Sequence, residues 1–175
     1  MPAAIWLQPF GNQKRKLQQV IDALGAKNGT VPFAPHLTVC GADNLDAEWA
    51  ADYVSRCRSL PFAPRKTEIS YSTTTPFKAV VIEVENTPEL AAFRETLRRI
   101  AGAPEFEPPH ISLLYTLDER AERTSWAADT TKLSAIAAEC AALIEDDAFT
   151  LGDPVVVAPD GDWINIRSWK ILRRL

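Results

Sequence analysis

Along this chain, apolar residues fall into short strand-like runs and helical periods, and the order of these patterns repeats. Residues 4–9, AIWLQP, make a short apolar run closed by Pro9, the mark of a strand. Leu17, Val20, Ile21 and Leu24 then fall at the i, i+3, i+4, i+7 spacing of one helix face, with Gly25 as the expected stop. The segment 32–41, PFAPHLTVCG, follows, its Leu37 and Val39 suited to a strand. A second helix is predicted over about 46–60, and extended chain to about 75.

The order restarts at Ala79. AVVIEVE is a strand, and Thr87 followed by Pro88 is a helix N-cap with proline at the first helical position. Leu90, Phe93, Leu97 and Ile100 supply the apolar stripe, Arg98 and Arg99 suit the last turn, and Gly102 ends it. PEFEPPHISLLY at 104–115 stands where PFAPHLTVCG stood. A further helix is predicted near 130–144, with Leu133, Ile136, Ala137, Cys140 and Ile144 on one face. EDD at 145–147 reads as its exit. PVVVAP and WINIRSWKIL, joined by a DGD turn, read as two closing strands.

The first strands of the two series begin at Ala4 and Ala79, and the histidines are His36 and His110, so both features recur at offsets that agree to within one position. Two halves in nearly constant register predict a duplicated βαβαβ-type unit with pseudo-two-fold symmetry. The class is α+β rather than a doubly wound sheet. A single domain over 1–175 is expected, with lobes of roughly 1–75 and 76–175 meeting in the linker STTTPFK at 72–78.

The chemistry is concentrated in the two motifs, which hold both histidines of the chain, His36 and His110. Side chains alternate along a strand. His36, Thr38 and Cys40 are therefore expected on one face, and His110 and Ser112 on the matching face of the second motif. Two imidazoles and two hydroxyls across one cleft suit cleavage of a phosphodiester. One histidine takes a proton from the nucleophile and the other protonates the leaving oxygen, since an imidazole near pKa 6.5 does either at neutral pH. The hydroxyls donate to non-bridging phosphate oxygens. No metal and no cofactor is expected, because the set contains no carboxylate. A zinc site of His36, Cys40 and His110 is the competing reading, as is a pair of hydrogen-bonded core histidines; Cys40 itself reads as small packing rather than a nucleophile. Trp6 and Phe77 are candidates for stacking on a base, with core packing as the alternative.

Net charge narrows the partner. At −4 the chain lacks the broad basic face needed to grip long nucleic acid, although RSWKILRR at the C-terminal end is basic. Hydrophobic content of 46% suits a soluble folded protein. The three cysteines, Cys40, Cys57 and Cys140, have no CxxC spacing and read as buried thiols of a reducing compartment. MPAAIWLQPF is not a signal-peptide pattern and no apolar run nears the ~18 residues of a membrane span. A cytoplasmic or nuclear monomer is expected.

HLT and HIS, each in an aliphatic strand, resemble the paired HxT/S motifs of the 2H phosphoesterase superfamily. The Trp-bearing first strand, the chain length and the extended HISLLY are similar to its cyclic phosphodiesterase branch. The resemblance spans the whole chain. It implies antiparallel sheets lining a central cleft with helices outside. It also implies hydrolysis of ADP-ribose 1″,2″-cyclic phosphate and nucleoside 2′,3′-cyclic phosphates, an activity of RNA and tRNA processing. The catalytic pair falls on His36 and His110, with His110 the expected base and His36 the expected acid, although the near-symmetric motifs do not separate the roles. The phosphate-binding hydroxyls fall on Thr38 and Ser112. The branch's tyrosine falls on Tyr115, which alternation alone would turn away from His110. The alternatives are a 2H relative acting on RNA ends, as a 2′,5′-RNA ligase or 2′,5′-phosphodiesterase, and a nucleotide-binding module without turnover.

Overall fold

The computed structural model describes residues 3–43, 45–56, 60–103, 108–116, 129–161, 163 and 165–174. Among these residues seven strands form one antiparallel sheet, and four helices lie against it. β1 is Ala3–Pro9, α1 Gly11–Asn28, β2 Leu37–Ala42, α2 Ala47–Ser55 and β3 Lys66–Tyr71. β4 is Val80–Val84, α3 Pro88–Ala101, β5 His110–Leu114, α4 Thr130–Leu143, β6 Leu151–Ala158 and β7 Lys170–Arg174.

The sheet order is β3-β4-β5-β2-β1-β6-β7. Ignoring β7, it reads the same from either side of the β5/β2 junction: β5 answers β2, β4 answers β1 and β3 answers β6. Each half of the chain therefore contributes its third strand to the other half's side of the sheet. β3 pairs with β4, and β6 pairs with β1. The helices cross over as well: α1 packs on β5, α3 on β2, α2 on β6 and α4 on β3. The halves of the chain and the halves of the sheet are thus different divisions of the molecule.

The motif strands meet at the middle. Their register joins Leu37 to Ile111, the central residues of HLT and HIS. Both are fully buried and belong to the main core, which joins strands to all four helices. Alternation then sends the flanking residues to the opposite face, where the cleft lies.

Local chemistry explains most boundaries. Thr87 caps α3 by accepting from the Leu90 N–H, with Pro88 opening the helix. Gly102 closes that helix in the left-handed region at φ 62°. Asp46 and Asp129 cap α2 and α4 in the same way as Thr87 caps α3.

Some predicted boundaries move, and α2 stops at Ser55 rather than near residue 60. α1 runs past Gly25 and stops at Gly29, whose φ of 68° supplies the left-handed cap. Gly25 is there for a different reason: a Cβ on it would meet the Thr30 carbonyl oxygen at 3.0 Å, where the returning chain crosses the helix. The last strand also begins later than WINIRSWKIL suggests. Ile166–Ser168 form a short 3-10 turn, and β7 starts only at Lys170. A second 3-10 turn, Pro76–Lys78, occupies the predicted linker. No helix among the described residues is long and apolar enough to cross a membrane.

Candidate active site

Each histidine is fixed by the proline before it. The residue preceding a proline is held extended, and a prolyl nitrogen has no hydrogen to donate. In APH, the His36 Nδ1 lies 2.6 Å from the Ala34 carbonyl; in PPH, the His110 Nδ1 lies 3.0 Å from the Pro108 carbonyl. A carbonyl only accepts, so both Nδ1 atoms carry hydrogen, and Nε2 is the nitrogen left for chemistry on each ring. An antiparallel register through Leu37 and Ile111 sets His36 opposite Ser112 and Thr38 opposite His110. Each imidazole thus stands across from the other motif's hydroxyl.

A cavity of about 430 Å³ opens over this junction, and His36, Thr38, His110, Ser112 and Tyr115 all line it. The two candidate stacking residues, Trp6 and Phe77, border the same space.

Cys40 is the exception to the expected alternation. β1 pairs Trp6 with Thr38 and Ile5 with Cys40, so two consecutive β1 residues face positions two apart on β2 and Val39 is a bulge. The bulge shifts the alternation by one, turning Cys40 into the core at 0% exposure and Gly41 into the cavity. His36, Cys40 and His110 therefore do not converge, and the zinc reading is corrected. Among the described residues no group of three or more His, Cys, Asp or Glu is placed to hold a metal. Burial also pushes the Cys40 thiol up to about 11, away from thiolate chemistry. Cys140 is likewise buried, and Cys57 lies outside the described residues.

The second motif repeats the device. β4 pairs Val81 with Ser112 and Val80 with Leu114, leaving Leu113 as the bulge. Leu113 and Leu114 both enter the core, and Tyr115 turns into the cavity. The bend needed to bring Tyr115 in is this bulge. The Tyr115 hydroxyl sits 3.4 Å from the His36 Nε2, and the Tyr115 ring stacks on Phe33 at 3.8 Å. Burial holds the phenol well above its ordinary pKa, partly opposed by a hydrogen bond with Ser112. The Ser112 hydroxyl donates to the Phe77 carbonyl at 3.0 Å, tying the motif to the 3-10 turn.

Trp6, considered as a base platform or a core residue, is 5% exposed. Its ring stacks on the His36 imidazole, centroids 3.6 Å apart and planes 13° off parallel. His36 is itself only 3% exposed, and desolvation there brings its pKa down to about 4, with the nearby His110 adding to the fall and the Ala34 carbonyl opposing it. His110 is more open to solvent.

Sequence reasoning missed the tryptophans of the C-terminal segment. Trp163 and Trp169 line the cavity, and the Trp169 Nε1–H donates to the Trp163 carbonyl at 3.0 Å. Trp169 touches Trp6, Phe77 and Tyr115, so it closes the aromatic side of the cleft. Reading 163–172 as one continuous strand hid this; the 3-10 turn at Ile166–Ser168 brings Trp169 over the cavity. Thr75 and Lys78 border the cavity from the segment between β3 and β4, and Asp43 from the end of β2.

Known structures share this architecture. Three crystal structures of E. coli LigT are similar over nearly the whole chain. The complex with ATP has a TM-score of 0.57 at 16% identity, covering 100% of this chain and 98% of that one. The complex with phosphate has a TM-score of 0.53 at 16% identity, over 99% and 94%. The apo form has a TM-score of 0.51 at 15% identity, over 100% and 97%. The fold is that of the 2H phosphoesterases. The 2H fold thus answers the expectation of a duplicated α+β unit, with one seven-stranded sheet carrying both motif strands. No family model and no curated protein matches the sequence.

Proposed function

We propose that this chain is a 2H phosphoesterase that hydrolyses small cyclic phosphates without a metal, opening nucleoside 2′,3′-cyclic phosphates to 2′-phosphates and ADP-ribose 1″,2″-cyclic phosphate to the 1″-phosphate. One observation carries the reading: two imidazoles, each locked as the Nδ1–H tautomer by a carbonyl, meet at one cavity with a hydroxyl across from each. Fixing the tautomer twice is what an acid–base pair requires, and simple binding does not.

The reaction follows from those four groups. Thr38 and Ser112 hold the non-bridging oxygens. One Nε2 takes a proton from water as its oxygen bonds to phosphorus. The bond from phosphorus to the ribose 3′ oxygen breaks on the far side, and the other Nε2–H protonates that oxygen. The two imidazoles exchange their protons with solvent before the next turnover. Phe77, Trp163 and Trp169 offer aromatic surface for a base beside the phosphate.

The cavity volume favours a nucleotide-sized ligand over a long strand. The similar LigT structures were solved with ATP and with phosphate, which fits a nucleotide in this cleft. The likeness to LigT also keeps RNA ends in view as substrate. The test offers 2′,3′-cyclic AMP, ADP-ribose 1″,2″-cyclic phosphate and a 2′,5′-linked dinucleotide, each with and without excess chelator. Turnover of the cyclic phosphates, unchanged by chelator, is the expected result. Turnover of the dinucleotide alone would move the assignment to RNA ends. Loss on chelation with recovery on adding zinc would contradict the metal-free mechanism.

A further inference from the structure

The two-fold relating the motifs is broken at three places, all beside the histidines. On β1, Trp6 stands opposite Thr38; the matching place on β4, opposite Ser112, holds Val81. After the second bulge comes Tyr115, whose hydroxyl reaches His36; at the equivalent place after the first bulge stands Gly41, which has no side chain to reach His110. Glu83 pairs with His110 on β4, whereas extending the β1–β2 register by one residue sets neutral Gln8 opposite His36. His36 is therefore enclosed by an indole, a phenol and the Phe33 ring, with no carboxylate in its strand pair. At the places matching Trp6 and Tyr115 stand Val81 and Gly41, and His110 has a carboxylate in its strand pair.

From this we infer that Trp6 and Tyr115 are positioning residues that polarise a site whose motifs alone are symmetric, making His36 the acceptor of the water proton and His110 the donor to the leaving ribose oxygen. The inference rests on the phosphoesterase reading above and reverses the order given with the family resemblance. The enclosed ring is the one that burial keeps neutral, ready to accept. Gly41 borders the cavity. Titratable groups facing His36 are His110 and Tyr115, from β5 and its end. Asp43 and Lys78 line the same cavity. Gln8 accepts from the Lys14 ammonium at 2.7 Å, and Glu83 accepts from the Ser70 hydroxyl at 2.6 Å.

With two histidines in the chain, proton NMR of the intact protein resolves two imidazole Cε1–H signals, assigned through His110→Gln. In the native chain His36 titrates near pH 4, well below an ordinary imidazole. Trp6→Val, which copies the residue at the matching position, raises the His36 midpoint by about one pH unit or more. It moves the acid limb of kcat/KM for 2′,3′-cyclic AMP the same way, since that limb reports the base of the free enzyme. Tyr115→Phe, which keeps the ring, gives a smaller rise in both; it decides the matter should Trp6→Val fail to fold. A His36 midpoint near that of an ordinary imidazole in the native chain would overturn the inference, as would a His36 midpoint and acid limb unmoved in both variants. The NMR arm needs no turnover. Absence of phosphodiesterase activity with a lowered His36 midpoint would therefore sink the functional reading alone, and full activity with an ordinary His36 midpoint would sink the polarisation alone.

Discussion

His36→Gln and His110→Gln each lower kcat for 2′,3′-cyclic AMP by at least about 10²-fold, the scale on which a positioned acid or base acts. The reason is that each ring offers a single nitrogen, Nε2, to the cavity, its Nδ1 being committed to the Ala34 or Pro108 carbonyl. A glutamine fills similar space but neither takes nor gives a proton near neutral pH. The two variants part company in stability. The motif pattern alone would put both rings in an open cleft, where replacement costs little. Instead His36 is 3% exposed and stacked beneath Trp6. His36→Gln therefore loses on the order of 1–3 kcal/mol of stability, and His110→Gln stays within about 0.5 kcal/mol. For a chain of this size the first corresponds to a fall of a few degrees in Tm, so both kcat values must be measured below it. Near-native turnover by either variant would remove that histidine from the chemistry.

Ile111→Ala has the largest expected effect on folding. Ile111 is fully buried and makes the register pair that joins β5 to β2 by facing Leu37. Truncating it removes three buried carbons at the point where the halves of the sheet join. The cavity left there cannot collapse without moving strands, so a loss of about 2–5 kcal/mol is expected. The consequence reaches the site, because His110 and Ser112 flank Ile111 on β5 and are aimed by its seat in the core. Urea unfolding gives the first quantity. The activity of the folded fraction gives the second, and it should fall although no catalytic group has changed. Stability within about 1 kcal/mol of the native chain would mean that the junction is held elsewhere.

Much of this was legible because the motif is duplicated. One histidine two residues before a hydroxyl in an apolar strand means little. Two of them, at matching places in the two halves and each behind a proline, already place His36, Thr38, His110 and Ser112 in a common setting. The structure brings all four to one cavity. The helix caps at Thr87 and Gly102 were legible for a local reason: cap chemistry depends on a few adjacent residues.

What was hidden depends on register. A bulge leaves no mark in the apolar pattern, because Val39 and Leu113 are apolar whether they alternate or not. Strict alternation therefore put Cys40 in the cleft and Tyr115 outside it, and both placements invert. The place of β6 beside β1 joins the two ends of the chain, a pairing that no local pattern encodes. Trp169 was read as one residue of a long strand, although a 3-10 turn and a late start to β7 deliver it to the cavity.

The measurement that bears most directly on the whole account is the fate of 2′,3′-cyclic AMP in ¹⁸O-water, followed by ³¹P NMR. An acceptor and a donor on opposite sides of the phosphorus, with the phosphate held by Thr38 and Ser112, allow attack from one direction only. The account predicts a single product, the 2′-phosphate, carrying one ¹⁸O on phosphorus. Comparable amounts of the 2′- and 3′-phosphates would contradict it, because the site would then hold the substrate in more than one pose and could not divide the proton transfers between His36 and His110.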